Sequence, residues 1–231
     1  MSNGQRARGR PTKAVVTREK IADAALRVVV AKGYAALSMA AVARDLGVAP
    51  SALYNHVAGK QELLYMLEDA VMAQVDVTAL TDCLAGSLSP REAVTEWAIS
   101  YRDVLARHTP LIGTVAVMSI FGTRETAVMY ENVVRVLRLA GVADEQVMAV
   151  IVAVESFVFG SAFDAEAPAD IFDVPEGAPE GDNETQDERV ETEALRSVLA
   201  HRPAGGENTN PYADLPFRLG LQVLVEGLIP G

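Results

Sequence analysis

One short segment contains small and polar residues whose types and spacing would allow them to contact a ligand from the first turns of a helix. Ser51, Ala52 and Asn55 fall in the first turns of a helix predicted to begin at Pro50. If this helix enters the major groove of DNA, its exposed start reaches deepest toward the bases. We therefore expect these three residues to face base edges. The chain that precedes the helix must then hold it so that its start is exposed.

Two short helices joined by a tight turn are predicted over residues 37–64. The first has an apolar face at three-to-four spacing, formed by Met39, Val42 and Leu46. Gly47 ends this helix where the chain needs a positive φ angle, which glycine adopts at least cost. The small Ala43 lets the two helices cross closely, and Leu53 fills the angle between them. This pattern is typical of a helix-turn-helix, although the pattern alone leaves open an ordinary helical corner.

The segments SALYNHV at residues 51–57 and GKQELL at residues 59–64 resemble a known family. They are similar to the recognition helix and the following helix start of the TetR (tetracycline-repressor-like) family, over about residues 14–66. The resemblance implies double-stranded, palindromic operator DNA as a partner, with its phosphates held by Tyr54, His56 and Lys60. At position 56 many family members have an aromatic residue instead of histidine.

Charge is divided unevenly along the chain. The whole sequence has a formal net charge of −11, yet residues 1–60 hold ten Lys or Arg against three Asp or Glu. This N-terminal part is therefore at +7 and the rest at −18. A basic head on an acidic body is what phosphate contact by one end requires.

Composition also suggests how the chain is divided into segments. Residues 1–13 are predicted to be a flexible basic tail, whose Arg6, Arg8 and Arg10 could follow the DNA backbone or the minor groove. Residues 14–66 form the predicted DNA-binding head, and residues 67–231 form the body for ligand binding and dimerisation.

The predicted fold is all-α, with a three-helix helix-turn-helix head and a helical body, because no run alternates with a period of two. Helices are expected at about residues 17–32, 61–80, 90–108, 110–120, 123–140, 143–163 and 214–229. Residues 164–213 are predicted to be an acidic, partly mobile insertion, since residues 166–193 hold eleven acids against one Arg. Within it, residues 185–201 could form a helix.

The sequence favours a non-enzymatic cytoplasmic protein without a cofactor or a bound metal. No signal peptide or membrane span is evident, and Cys83 is the only cysteine. The three histidines are scattered, and neither a nucleophile-elbow motif nor a phosphate-binding glycine loop is present. We expect no catalytic residues.

Two helices of the body are apolar over most of their surface, which predicts a homodimer. A helix of this kind must be buried on more than one side, and a partner subunit can cover one of them. The expected interface lies on the helices at 143–163 and 214–229 and consists of Val150, Val154, Val158, Leu219, Gly220, Val223 and Gly227. The alternative is a monomer whose core surrounds the central helix.

Aromatic and flexible apolar residues of the body could line a ligand pocket, although most could equally fill the core. The candidates are Trp97, Tyr101, His108, Met118, Phe121, Glu155 and Phe159. Glu155 is distinct because burial of its carboxylate in the most apolar helix needs a partner. That partner could be Arg102, Arg107 or His108, the other subunit, or a ligand.

The family resemblance therefore implies a homodimeric transcription regulator, a repressor relieved by a small apolar or amphipathic effector. The sequence contains no motif that fixes tetracycline and magnesium contacts, so that ligand is not inferred. The alternative is a helical ligand-binding protein or enzyme that does not bind DNA.

Overall fold

The computed structural model describes residues 16–168, 170–173, 193–201 and 210–230. Within these ranges the chain forms α-helices and short 3-10 turns and has no β-strand, which confirms the all-α prediction. The predicted basic tail lies outside the described residues, as does most of the predicted acidic insertion. The described chain forms two compact units that divide between Ala70 and Val71.

Local sequence signals explain the helices of the N-terminal unit, the head. They are α1 (Arg18–Lys32), α2 (Met39–Asp45), α3 (Pro50–Leu53) and most of α4 (Lys60–Met72). The Thr17 hydroxyl caps α1 by accepting a hydrogen bond from the Lys20 N–H. Gly47 has a φ of 68°, so the turn between α2 and α3 uses the conformation that glycine permits. Ala43 and Leu53 are buried beneath that turn.

The second unit, the body, is built around one central helix. Its helices are α5 (Thr78–Leu84), α6 (Pro90–Ala106), α7 (Ile112–Val115), α8 (Arg124–Leu139), α9 (Asp144–Ala165), α10 (Glu193–Leu199) and α11 (Asp214–Leu228). A reciprocal capping box of Ser89 and Glu92, with Pro90 in the first turn, starts α6. This helix contacts α5, α8, α9 and α11, so it lies at the centre of the body.

The helix predicted at 61–80 is two helices, and this prediction was wrong. The chain leaves helical conformation after Met72 and starts α5 at Thr78. The Asp76 carboxylate accepts the Thr78 N–H, and the Asp76 N–H donates to the Ser100 hydroxyl at 2.8 Å. These hydrogen bonds hold the chain in a turn, which apolar spacing alone does not reveal. The prediction at 110–120 was also too long, since α7 ends at Val115.

The ends of α9 and α11 are joined by a small group of contacts, here called the Asn210 clamp. The Asn210 side-chain amide donates to the backbone oxygen of Asp164 at 2.9 Å and its oxygen accepts the Tyr212 N–H at 3.0 Å. The Tyr212 ring meets Phe172 edge to face, with ring centroids 4.8 Å apart. The chain that leaves α9 is thereby fixed beside the chain that enters α11.

Candidate nucleic-acid interface and buried polar cluster

The six predicted DNA contacts lie in α3, in the turn that follows it, and at the start of α4. Ser51, Tyr54, Asn55 and Lys60 are exposed, whereas Ala52 and His56 are half-buried. Leu53 and Val57 alternate with them and are buried, so they fix the segment to the head. A helix of this length has little stability of its own, and its position depends on these two anchors.

A surface network that sequence reasoning missed braces this segment. The Arg18 guanidinium donates to the His56 backbone oxygen at 2.6 Å and to the Glu62 carboxylate at 2.7 Å. The other Glu62 oxygen accepts the Ala58 N–H at 2.6 Å. The Ala58 N–H and, secondly, Arg18 hold the pKa of Glu62 below its usual range. The signal in the sequence was Glu62 itself, an acid three residues after Gly59 at a helix start.

The Lys60 side chain is positioned by an aromatic ring. Its ammonium nitrogen lies 5.3 Å from the centroid of the Tyr34 ring, within the range of a cation–π interaction. Lys60 remains exposed, so its charge is available to an anion.

The predicted dimer residues on α9 were wrong, because their side chains belong to the protomer core. Val150, Val154 and Val158 are at most 6% exposed. The exposed apolar residues of α9 are Met148, Val152 and Phe163. The helix is apolar on both faces, so composition could not indicate which face is buried in the protomer. By length and composition alone, α9 could also cross a membrane.

On α11, the predicted residues have different surroundings. Leu219 and Val223 are 57% and 70% exposed and continue from the exposed Leu215 at four-residue spacing. Gly227 is exposed with open space around it. Gly220, in contrast, lies against the Phe157 ring of α9 in the same protomer, where a Cβ atom would clash. Its predicted role in the dimer contact is therefore corrected to close packing of α9 on α11.

Two tyrosines hydrogen-bond to the carboxylate predicted to need a partner, and two further aromatic rings contact one of these tyrosines; we call this set the Glu155 cluster. It consists of Trp97, Tyr101, Tyr130, Glu155 and Phe159. The Tyr130 hydroxyl is 2.6 and 2.7 Å from the two oxygens of Glu155. Tyr101 contributes a further hydrogen bond, and its ring lies 5.8 Å from Trp97 and 5.9 Å from Phe159. Burial raises the pKa of Glu155, and the two tyrosine hydrogen bonds only partly oppose that effect.

The predicted basic partners of Glu155 have other contacts. Arg102 is buried, with ion pairs to Asp103 at 3.0 Å and Asp214 at 2.9 Å, and its guanidinium lies 5.1 Å from the Phe217 ring centroid. His108 Nε2 is 3.3 Å from the Gln74 side-chain oxygen. Burial and, secondly, Arg107 lower the pKa of His108. The recorded partners of Arg102 and His108 are therefore residues other than Glu155.

The remaining predicted pocket residues do not converge on the cluster. Phe121 is 85% exposed, and Met118 is half-buried in the chain after α7. Two surface grooves flank α6, of about 390 Å³ beside α11 and about 490 Å³ beside α5. None of the predicted pocket residues lines either groove. Among the described residues, no group of His, Cys, Asp or Glu has a metal-binding arrangement.

The exposed polar face at α3 and a separate helical body define a two-unit helix-turn-helix fold. The family model described as bacterial regulatory proteins, tetR family, matches residues 21–65, and the model described as tetracyclin repressor-like, C-terminal domain, matches residues 86–229. The chain therefore belongs to the TetR family.

Individual relatives agree with this assignment. The HTH-type transcriptional repressor DrrR1 of Streptomyces coeruleorubidus is 29% identical over 153 residues, which are 66% of this chain and 55% of that protein. The chain thus spans about half the length of this relative.

Two solved structures share the fold over nearly the whole chain. BioQ with its natural double-stranded DNA operator is 26% identical, with a TM-score of 0.58 and coverage of 93% of this chain and 98% of that chain. ActR of Streptomyces coelicolor, in complex with (S)-DNPA, is 24% identical, with a TM-score of 0.63 and the same coverages of 93% and 98%.

Proposed function

We propose that the chain is a transcription repressor that binds operator DNA as a homodimer and leaves it when a small effector binds the body. The observation that carries this proposal is the exposed polar face at α3, held over buried Leu53 and Val57 and braced by Arg18 and Glu62. Among the relatives, DrrR1 is a transcriptional repressor and BioQ is seen with its double-stranded operator.

In this proposal the residues around α3 divide into two roles. Ser51, Ala52 and Asn55 face base edges and give specificity, because the start of a recognition helix lies deepest in the groove. Tyr54, His56 and Lys60 hold phosphates and give affinity that depends little on sequence. Because His56 is half-buried, only part of its side chain can reach a phosphate.

The proposed dimer interface uses the exposed apolar faces of α9 and α11. Met148 and Val152 on α9, with Leu219 and Val223 on α11, replace the buried valines of the sequence prediction. A two-fold axis through this surface would present two α3 helices to a palindromic operator.

The proposed effector site is the Glu155 cluster in the body. An effector releases DNA only if it binds the DNA-incompetent arrangement more tightly than the competent one. The chain connects the two units through α4, and the chain after α4 is tied to α6 by the hydrogen bond between Gln74 and His108. A shift of α6 on effector binding would therefore act directly on the chain that follows α4.

The proposal places the protein in the cytoplasm, where its operator is, and gives it no catalytic activity and no cofactor.

The decisive experiment is a footprint on DNA that flanks the protein's own coding region, made with wild type and Asn55→Ala. Loss of a base contact should cost about 1–3 kcal/mol at the operator and little on unrelated DNA. Gln146→Ala, which removes an exposed amide of the body, is the matched control. Equal binding of operator and unrelated DNA by wild type would refute the proposed function.

A further inference from the structure

We infer that the effector carries a positively charged group bearing apolar substituents, and that Glu155 receives that group among the aromatic rings of its cluster. This inference rests on the proposed function, because it names the chemical class of effector for the same site. It follows from the residues that contact Glu155 and from the absence of an ion pair to its carboxylate among the described residues.

The carboxylate of Glu155 is buried with neutral partners. The residue is 6% exposed, and the Tyr130 and Tyr101 hydroxyls are its hydrogen-bond donors. In the part of the chain that the structure describes, no Lys, Arg or His nitrogen forms an ion pair with it. A buried carboxylate without a cation is costly, so an incoming cation would gain an unusually strong partner.

A purely structural role does not require this charge. Glutamine has nearly the same shape, and its carbonyl oxygen could accept the Tyr130 hydroxyl without a charge to desolvate. An amide would therefore keep this hydrogen bond without the cost of burying a charge. Beyond its hydrogen bonds to the tyrosines, what the carboxylate adds is attraction for a positive charge.

The aromatic rings of the cluster suit the same chemistry. Tyr101, which hydrogen-bonds to Glu155, contacts Phe159 edge to face and lies beside Trp97, so aromatic rings adjoin a residue that holds the carboxylate. The faces of aromatic rings attract cations, and their area favours apolar substituents on the charged group. Tyr130 and Phe159 are only half-buried, so the cluster reaches the protomer surface at these two residues.

Trp97 indicates a second chemical feature of the effector. It is 1% exposed, and its indole N–H has no acceptor among the residues that the structure describes. Buried donors are nearly always satisfied, so an acceptor atom on the effector would complete this group. The expected effector is thus an amphipathic amine or quaternary ammonium compound that also carries an oxygen or nitrogen acceptor.

The test uses the fluorescence of Trp97, the only tryptophan of the chain, in the full-length protein. Three probes of matched shape are titrated: benzyltrimethylammonium, its uncharged isostere neopentylbenzene, and the anion phenylmethanesulfonate. We expect saturable binding of the ammonium at least about tenfold tighter than of the uncharged isostere, with the anion weakest. This comparison in wild type does not depend on any variant folding.

Two variants then test whether the ammonium is recognised by the charge of Glu155. Glu155→Gln should reduce the preference for the ammonium over neopentylbenzene by about tenfold. Glu145→Gln removes an exposed acid of the same helix and should leave the preference unchanged. Equal binding of the ammonium and the isostere, no saturable ammonium binding, or an unchanged preference in Glu155→Gln would overturn the inference.

Adding operator DNA separates this inference from the proposed function. If the ammonium binds through Glu155 but its affinity is identical with and without saturating operator, effector-driven release fails and the cation site stands. If instead an uncharged compound releases the operator without preference for the ammonium, the repressor function stands and the cation site is refuted.

Discussion

Two charged side chains of the head differ in exposure from two of the body. In the head, the paired side chains Arg18 and Arg27 are 51% and 57% exposed, so water and salt screen their ion pairs. In the body, Arg102 and Glu155 are each 6% exposed. A surface that must exchange its counterions for phosphates benefits from open charges. A buried charge is costly unless a specific partner compensates it, so its position indicates a specific role.

The largest effect should come from placing a new charge on the exposed apolar face of the body. Val223→Glu puts two carboxylates close to the proposed two-fold axis, where repulsion and desolvation both oppose association. We expect the dimer to weaken by about a hundredfold or more, measured by sedimentation, and two-half-site operator binding to fail with it. Glu145→Gln on the same unit serves as control.

Gly220 should respond differently, although it is in the same helix. Gly220→Leu forces a side chain against Phe157 and should lower the free energy of unfolding by about 1–3 kcal/mol. Gly227→Ala has open space and should be neutral or slightly stabilising. A Gly220 variant that dissociates with undiminished protomer stability would contradict this assignment of Gly220 to packing within the protomer.

The next effect compares a buried arginine with an exposed one. Arg102→Ala should cost about 2 kcal/mol in urea unfolding, mostly through lost packing on Phe217, because both of its acidic partners are at least half exposed. Arg27→Ala, which loses a 2.6 Å ion pair to Asp45, should cost less than about 1 kcal/mol. Equal costs would break the contrast between the two units.

Removal of one exposed cation of the head should alter DNA affinity without altering the fold. Lys60→Ala should weaken operator and unrelated DNA alike and reduce the salt slope of binding by about one unit. Lys32→Ala, which removes an exposed lysine at the end of α1, should have a smaller effect. DNA titrations at several salt concentrations measure this slope. An unchanged slope for Lys60→Ala would show that Lys60 does not contact a phosphate.

The smallest effect is a pH dependence of stability. The pKa of Glu155 is raised in the folded protein, so its favourable contribution is complete below the usual carboxyl range and is lost as pH rises through the raised pKa. Glu155→Gln cannot ionise, so its stability relative to wild type should increase from acid to neutral pH. Thermal unfolding at several pH values measures this, and a constant difference would show that Glu155 is not desolvated.

Signals within a few residues allowed much of the fold to be predicted. The Thr17 cap, the positive φ of Gly47 and the Ser89 capping box each depend on neighbouring residues alone. The break after Met72 was missed because apolar spacing continues through Val75 and Leu80, while the turn depends on a hydrogen bond to Ser100.

Parts of the site that depend on contacts between distant residues could not be predicted. The sequence placed Ser51 and Asn55 on the α3 segment, but Arg18 reaches that segment across 38 positions. Likewise, the Tyr130 contact to Glu155 joins α8 to α9. For α9, an apolar composition on every face did not indicate which face is buried in the protomer, and packing against α6 and α11 determines that face.

The Asn210 clamp has a practical consequence for engineering. Because Asn210 bonds to Asp164 and Tyr212 meets Phe172, the entry and exit of the intervening chain are fixed by contacts outside it. Closing a longer loop between fixed ends costs only about 0.6 kcal/mol for each doubling of its length. An epitope or a reporter domain inserted between Asp173 and Asn210, outside α10, should therefore keep the pairing of α9 with α11.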